Sequence, residues 1–152
     1  MTAQYLYEEN NAYNTKVNVD LVEHLIQQSA HDERVQILMS HIVNAHQIWL
    51  ERILGIPNSV AVFEVRSYHE LKQQILENNQ LTLTILTTRN LEDSIQYRNT
   101  KGQTYINSIL QILLHIFNHS SYHRGQINQL LVKEGKQAMI TDYIFYNRTE
   151  VI

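Results

Sequence analysis

The sequence predicts an all-α protein, a four-helix bundle with a short hairpin or extended loop before its last long helix. Four glycines and one proline among 152 residues leave few points at which a helix must end. Long stretches carry apolar residues three and four positions apart, which is the spacing of one helical face. No linker, repeat or low-complexity tract interrupts these stretches, so we expect one domain over residues 1–152.

The first two helices are predicted at about 10–28 and 32–54, where apolar residues recur with helical spacing. Gly55 is suited to the C-cap of the second helix, and Pro57 prevents the helix from continuing. The segment 58–66 follows no clear period and is predicted to be a loop.

The second half of the chain is predicted to hold two further helices with a hairpin between them. Ser67 and Glu70 form a capping-box pattern at the start of the third helix, which we place at 68–93. Part of this helix is β-branched and resembles a strand, but helical residues on both sides favour a helix. The segment 94–104 is predicted to be a hairpin or extended loop, and the fourth helix follows at 105–134. We expect the aromatic tail to pack back on the bundle.

Composition and charge exclude several classes of function. The chain has no cysteine, so disulfides, thiolate catalysis and cysteine-bound zinc are ruled out, and any metal must rest on His, Asp or Glu. A net charge of −3 without a basic run argues against a nucleic-acid partner. No apolar run is long enough for a membrane span, and the first residues lack the pattern of a signal peptide. We therefore expect a cytoplasmic protein with no membrane partner.

Histidine is the residue type that carries most information about function. The chain has eight histidines, and His115, His119 and His123 are spaced four residues apart on the predicted fourth helix. They therefore lie on nearly one stripe of that helix. Two imidazoles one turn apart can reach one metal ion, which is why this spacing recurs in zinc sites. A third ligand cannot easily come from the same helix.

The second helix offers His41 and His46 as the third ligand. They are five residues apart, about 140° around the helix, so both cannot serve one inner site. His41 shares the apolar stripe and His46 points more to the side, so we prefer His41. The alternative is a hydrogen-bonded polar core without metal. Several imidazoles facing one core would then need polar partners, whereas a shared cation gives their arrangement a physical reason.

The residues around these histidines have simpler interpretations. Gly125 inside a helix costs about 1 kcal/mol relative to alanine, so a close helix crossing is expected there. Arg124 is expected to point away from the histidine stripe and to form a salt bridge with a neighbouring helix. Gln126 is a candidate partner of a metal ligand, and Trp49 and Tyr122 are expected to pack in the core.

Three segments resemble the DinB/YfiT-like superfamily. NHSSYHRGQINQLL resembles the closing helix of that family, SHIVNAHQIWLERILG its second helix and, more weakly, NNAYNTKVNVDLVEHL its first. The resemblance implies a four-helix bundle in up-down-down-up order and often a homodimer. It also implies a divalent metal, commonly zinc or nickel, on three histidines that match His41, His119 and His123. His46 and His115 lie outside this triad.

The resemblance further implies a function. Characterised relatives include thiol-dependent transferases and hydrolases, so we expect a metal that activates a low-molecular-weight thiol or water toward a small-molecule substrate. The alternative is a non-enzymatic, metal-containing, stress-associated binding protein. The sequence shows no unambiguous general base, so no catalytic residue is assigned.

Overall fold

The structure, a computed structural model, describes residues 2–30 and 32–151. Over these residues the chain is mainly helical, with four long helices, one short helix and one two-stranded sheet. The elements in chain order are α1 (Ala3–Gln27), α2 (Glu33–Leu54), α3 (Tyr68–Thr88), β1 (Ser94–Arg98), β2 (Thr104–Ser108), α4 (Ile109–Lys133) and α5 (Tyr143–Asn147). The predicted helical class is confirmed. None of the described helices is both long and apolar enough to cross a membrane.

Capping residues determine where three of the helices begin or end. α2 ends at Gly55, whose φ of 69° lies in the left-handed region that glycine adopts readily. The predicted capping box is confirmed, because Ser67 accepts from the N–H of Glu70 and the Glu70 side chain accepts from Ser67. Ser108 and Gln111 form a second capping box at the start of α4. This second box sets the starting point of the helix that carries the histidine stripe.

The prediction for the start of α1 was wrong, because the helix begins at Ala3 rather than near residue 10. The Thr2 side chain caps the helix, and the Tyr7 hydroxyl donates to the carbonyl of Leu110 at 3.1 Å. The first residues of α1 are mostly exposed and carry no apolar stripe. Periodicity therefore could not reveal this segment, which is held by its cap and by its contact with α4.

The hairpin predicted within 94–104 is confirmed, but its second strand continues to Ser108. The two strands are antiparallel, with Tyr97 opposite Tyr105. α4 consequently begins at Ile109, later than predicted, because the residues before it pair with β1. The hairpin thereby stands next to the first turns of α4.

Two further predictions concern the end of α3 and the tail. α3 ends at Thr88 rather than near residue 93, because Arg89 adopts an extended conformation. The β-branched part of α3 is helical, as predicted. The tail packs back on the helices, where the Tyr13 hydroxyl donates to the carbonyl of Thr141 at 2.5 Å.

Two apolar clusters are separated by a layer of buried polar side chains. One cluster joins the C-terminal halves of α1 and α4 to the N-terminal halves of α2 and α3. The other joins the C-terminal halves of α2 and α3 to the N-terminal half of α4. The buried polar residues between them include Asn14, Asn18, His41, Asn44, His46, Asn78, Thr82, Ser120 and Arg124. Because burying a polar group is costly unless it is hydrogen-bonded or binds a ligand, this layer is where a functional site is expected.

Candidate metal centre

Three imidazoles from two helices meet at one point in the polar layer. Nε2 of His119 lies 2.9 Å from Nε2 of His41 and 3.1 Å from Nε2 of His123. One nitrogen from each of the three residues lies within 4.8 Å of the other two. The structure thus brings together the three histidines that the sequence singled out as metal ligands.

Two elements position these rings. His119 and His123 are neighbours because α4 runs without interruption and places residues four apart on one face. His41 comes from the middle of α2, and the loop after that helix holds its ring in place. The Phe63 ring stacks on His41 with centroids 4.5 Å apart and planes 14° apart. Phe63 itself is 62% exposed, so it separates the imidazole from solvent.

Hydrogen bonds on the outer side of two rings define which nitrogens face inward. Nδ1 of His41 lies 3.3 Å from the carbonyl of Val62, and Nδ1 of His123 lies 2.6 Å from Oε1 of Gln126. Both partners are acceptors, so each Nδ1 carries the proton and each Nε2 keeps its lone pair. The expectation that Gln126 supports a metal ligand agrees with this contact.

Burial favours the neutral form of two imidazoles of the triad, those of His119 and His41. It is the main cause that lowers the pKa of His119 to about 3, with the nearby His123 and His41 adding to the effect. Burial also lowers the pKa of His41. Neutral imidazoles are the form that binds metal, so the lowered pKa values of His119 and His41 favour metal binding at neutral pH.

The donor set fits a divalent metal ion. Two Nε2 lone pairs facing a third nitrogen at 2.9–3.1 Å need a shared proton or cation between them. Nitrogens bound to a tetrahedral zinc at ~2.0–2.1 Å lie about 3.3 Å apart, so only small shifts separate the observed geometry from coordination. The outer hydrogen bonds to a carbonyl and an amide are those that usually orient histidine ligands.

His46 is not part of this group, and it does not point to the side of the helix as expected. Its ring is buried, and its Nε2 lies 2.9 Å from Oγ1 of Thr82 on α3. The Thr82 hydroxyl donates to the carbonyl of Asn78, so it accepts the proton of His46. Burial lowers the pKa of His46 to about 3. His46 therefore joins α2 to α3 as a neutral core residue.

His115 is exposed and borders the triad without joining it. Its ring centroid lies 5.5 Å from that of His119 and 5.2 Å from that of Trp49. Trp49 is only partly buried, so the expected core packing is confirmed in part.

The expectation for Tyr122 was wrong, because this side chain is 66% exposed. Tyr122 and His123 are consecutive residues of α4, so their side chains point about 100° apart around the helix axis, and that of Tyr122 faces solvent.

Arg124 points away from the triad as predicted, but the predicted salt bridge is wrong. Its side chain is 1% exposed and binds no carboxylate among the described residues. The guanidinium donates to Oδ1 of Asn14 and of Asn18, both at 2.9 Å, and to Oγ of Ser120 at 2.7 Å. The two asparagines are four residues apart on the apolar face of α1. Two asparagines with this spacing on an apolar face are the feature of the sequence that could have indicated a buried polar network.

The explanation offered for Gly125 was also wrong. A Cβ placed on Gly125 would have no neighbouring atom within 4 Å among the described residues, so no close helix crossing requires glycine there.

The fold and the three convergent imidazoles define a mainly helical protein with a candidate histidine metal centre. The DinB family model matches residues 3–151, so the chain belongs to the DinB family. Protein DinB of Bacillus subtilis (strain 168) is 25% identical over 126 residues, which cover 74% of this chain and 73% of that protein. No solved structure matches the chain significantly.

Proposed function

We propose that the chain is a DinB-type enzyme that depends on a divalent metal, zinc or nickel, held by His41, His119 and His123. The convergence of three Nε2 atoms is the observation that carries this proposal. Imidazole nitrogen is a suitable ligand for both metals. Family membership supports the same conclusion, because the residues of the triad lie within the matched range.

Three histidine ligands leave at least one coordination position for a substrate, as in catalytic zinc sites. A divalent ion bound there would lower the pKa of a thiol or of water and so provide a nucleophile at neutral pH. The chain itself aligns the imidazoles of His41 and His123 through Val62 and Gln126 and covers His41 with Phe63. We infer that the enzyme transfers a low-molecular-weight thiol to a small electrophile, or hydrolyses that electrophile.

The finer description of the fold is part of the same proposal. The first apolar cluster combines N-terminal halves of α2 and α3 with C-terminal halves of α1 and α4. This supports a four-helix bundle in up-down-down-up order, in which α2 and α3 run in one direction and α1 and α4 in the other. The homodimer and the cytoplasmic location stay predictions.

Elemental analysis of the purified protein tests the metal site. We expect about one equivalent of zinc or nickel per chain, and a loss of most of it in a His119→Ala variant. His69→Ala is the matched control, because His69 is an exposed histidine on α3. Equal metal content in the wild type and the His119→Ala variant would refute the triad.

Turnover tests the enzymatic part of the proposal. The metal-loaded protein is incubated with a panel of small thiols and a chlorinated aromatic electrophile, with and without a chelator. Product that disappears on chelation supports the transferase, and chelator-sensitive product without thiol supports the hydrolase. The second candidate, a metal-containing binding protein, is favoured by one observation: the triad includes no carboxylate that could act as a general base. Absence of turnover across the panel would support that candidate.

A further inference from the structure

We infer that a cavity beside the histidine triad binds a small aromatic carboxylate, with its ring against Trp49 and Tyr97 and its carboxylate toward Arg52, which packs on both of these rings. The inference rests on the proposed function, because it assigns the chemical class of the molecule that would meet the metal-bound nucleophile. The cavity has a volume of about 250 Å³, just below the usual range of ligand sites, so it suits no more than a single ring. Its walls are formed by Trp49, Tyr97, Asn107, Gln111, Ile112 and His115.

Three of the six residues that line the cavity carry aromatic rings. The rings of Trp49 and Tyr97 meet at 82° with centroids 4.9 Å apart, and the His115 ring meets Trp49 at 72°. Because both rings stand steeply to Trp49, the wall offers faces and edges to an aromatic guest, which are the two favoured contacts between rings. This lining suits a planar, unsaturated ligand.

On the side of the cavity formed by the hairpin, the polar side chains are hydrogen-bonded to one another, and these bonds hold the wall in place. The Tyr97 hydroxyl donates to Oδ1 of Asn107 at 2.7 Å, and Nδ2 of Asn107 donates to Oε1 of Gln111 at 3.0 Å. Gln111 also belongs to the capping box of α4. The Tyr97 ring is thus fixed by the same residues that start the helix, so the cavity is pre-organised for a ligand.

Arg52 supplies a positive charge that forms no ion pair with an acidic side chain in residues 2–30 and 32–151. Its guanidinium lies 4.3 Å from the centre of the Trp49 ring and 5.1 Å from that of Tyr97. The ion pairs of the described part of the chain involve other residues: Lys16 with Asp20, Arg34 with Asp32, and Lys72 with Glu23. A planar guanidinium held in this way presents its donors to a carboxylate in a fixed geometry.

The position of the cavity relates it to the triad. His115 forms one of its walls and lies 5.5 Å, centre to centre, from His119. On α2, Arg52 follows His41 by eleven residues, about 16 Å along the helix axis. One wall, His115, adjoins the triad, and two others, Trp49 and Tyr97, contact the Arg52 guanidinium. A ring bound with its carboxylate toward Arg52 therefore has its opposite edge toward the triad. The aromatic acid is therefore oriented with its reactive edge toward the metal centre.

Trp49 is the only tryptophan of the chain, so its fluorescence reports this cavity directly. Metal-free and metal-loaded protein are titrated with benzoate and with benzamide, its neutral analogue of the same shape. We expect a saturable change of Trp49 emission in both forms of the protein, and benzoate to bind at least tenfold more tightly than benzamide. Equal affinities for the two probes in the wild type would overturn the inference.

Variants of Arg52 test whether its guanidinium binds the carboxylate. Their affinities are measured by calorimetry, because substitutions beside Trp49 alter its emission. Arg52→Gln is expected to bind benzoate about tenfold more weakly and benzamide unchanged. Arg34→Gln removes the same charge at a distant point of α2 and is expected to leave both affinities unchanged. Arg52→Lys keeps the charge but loses the planar donor fork, so a severalfold weaker binding of benzoate is expected. Wild-type benzoate affinity in both Arg52 variants contradicts the inference.

The design separates this inference from the proposed function. The benzoate titration of metal-free protein does not require a metal, so it succeeds or fails on the cavity alone. The elemental analysis of the His119→Ala variant succeeds or fails on the triad alone.

Discussion

His123 donates its Nδ1 proton to Oε1 of Gln126, which lies on the next turn of α4 at a distance of 2.6 Å. This bond fixes the imidazole in the form whose Nε2 faces His119, and it leaves the ring without rotational freedom.

Replacing Gln126 is therefore expected to weaken metal binding without removing a ligand. In a Gln126→Leu variant, the Nδ1 proton of His123 loses its acceptor and the ring can rotate. We expect the affinity for zinc or nickel to fall about 10- to 100-fold, the range found when such outer partners are removed. Competition with a metal chelator measures it. Gln129→Leu, an exposed position one turn further along α4, serves as the control, and an unchanged affinity in Gln126→Leu would count against the assignment of His123.

Arg124 is expected to contribute strongly to stability, because its guanidinium satisfies acceptors on two helices. Removing it in an Arg124→Met variant leaves the buried oxygens of Asn14 and Asn18 with only long hydrogen bonds, of 3.5 Å from Nδ2 of Asn18 and 3.4 Å from Oγ of Ser120. Each buried unsatisfied acceptor costs roughly 1–3 kcal/mol, so we expect the free energy of unfolding to fall by about 2–4 kcal/mol. Urea denaturation measures the change. Arg89→Met, at an exposed position just after α3, should cost less than about 0.5 kcal/mol. Similar losses in the two variants would contradict the role of Arg124.

Gly125→Ala is expected to stabilise the protein. The residue is exposed, lies inside α4 without a left-handed φ, and has open space where the methyl group would be. Alanine avoids the entropic cost of glycine in a helix, which is worth about 0.5–1 kcal/mol. Thermal and urea unfolding of the variant should both show the gain. A loss of stability would mean that another molecule, such as a second copy of the chain, packs against this point of α4.

Local spacing predicted the parts of the site that lie on one helix. The four-residue spacing of His119 and His123 was sufficient to place them together, and the pattern of Ser67 and Glu70 located the start of α3. The start of α4 was available from the same rule, because Ser108 is followed three residues later by Gln111. That signal was overlooked.

Interactions between distant segments could not be predicted in this way. Arg124 donates to Asn14 across 110 positions of sequence, and no local pattern distinguishes this network from a salt bridge. His46 bonds to Thr82 on another helix, so its orientation depended on a partner that helix geometry alone does not identify. The choice of His41 succeeded for a different reason: it lies on the apolar stripe of α2, which has to face the other helices.

The buried His46 leads to a prediction about pH. Its pKa is about 3 in the folded protein and 6.5 when exposed, so between these values the unfolded chain binds a proton that the folded chain does not. The free energy of unfolding therefore falls as the pH is lowered below about 6.5, and this contribution is fully present above that pH. The expected slope is roughly 1 kcal/mol for each pH unit between about pH 6 and pH 4.

A His46→Gln variant isolates this contribution, because glutamine can still donate to Thr82 but does not titrate. His119 and His41 have lowered pKa values as well and add to the pH dependence of the metal-free protein, so the wild type alone cannot identify His46. Urea unfolding of metal-free wild type and variant at several pH values gives the two slopes. We expect the variant to lose less stability than the wild type on acidification, with the difference confined to pH values below about 6.5. Parallel curves over that range would show that His46 binds a proton in the folded protein as readily as in the unfolded chain.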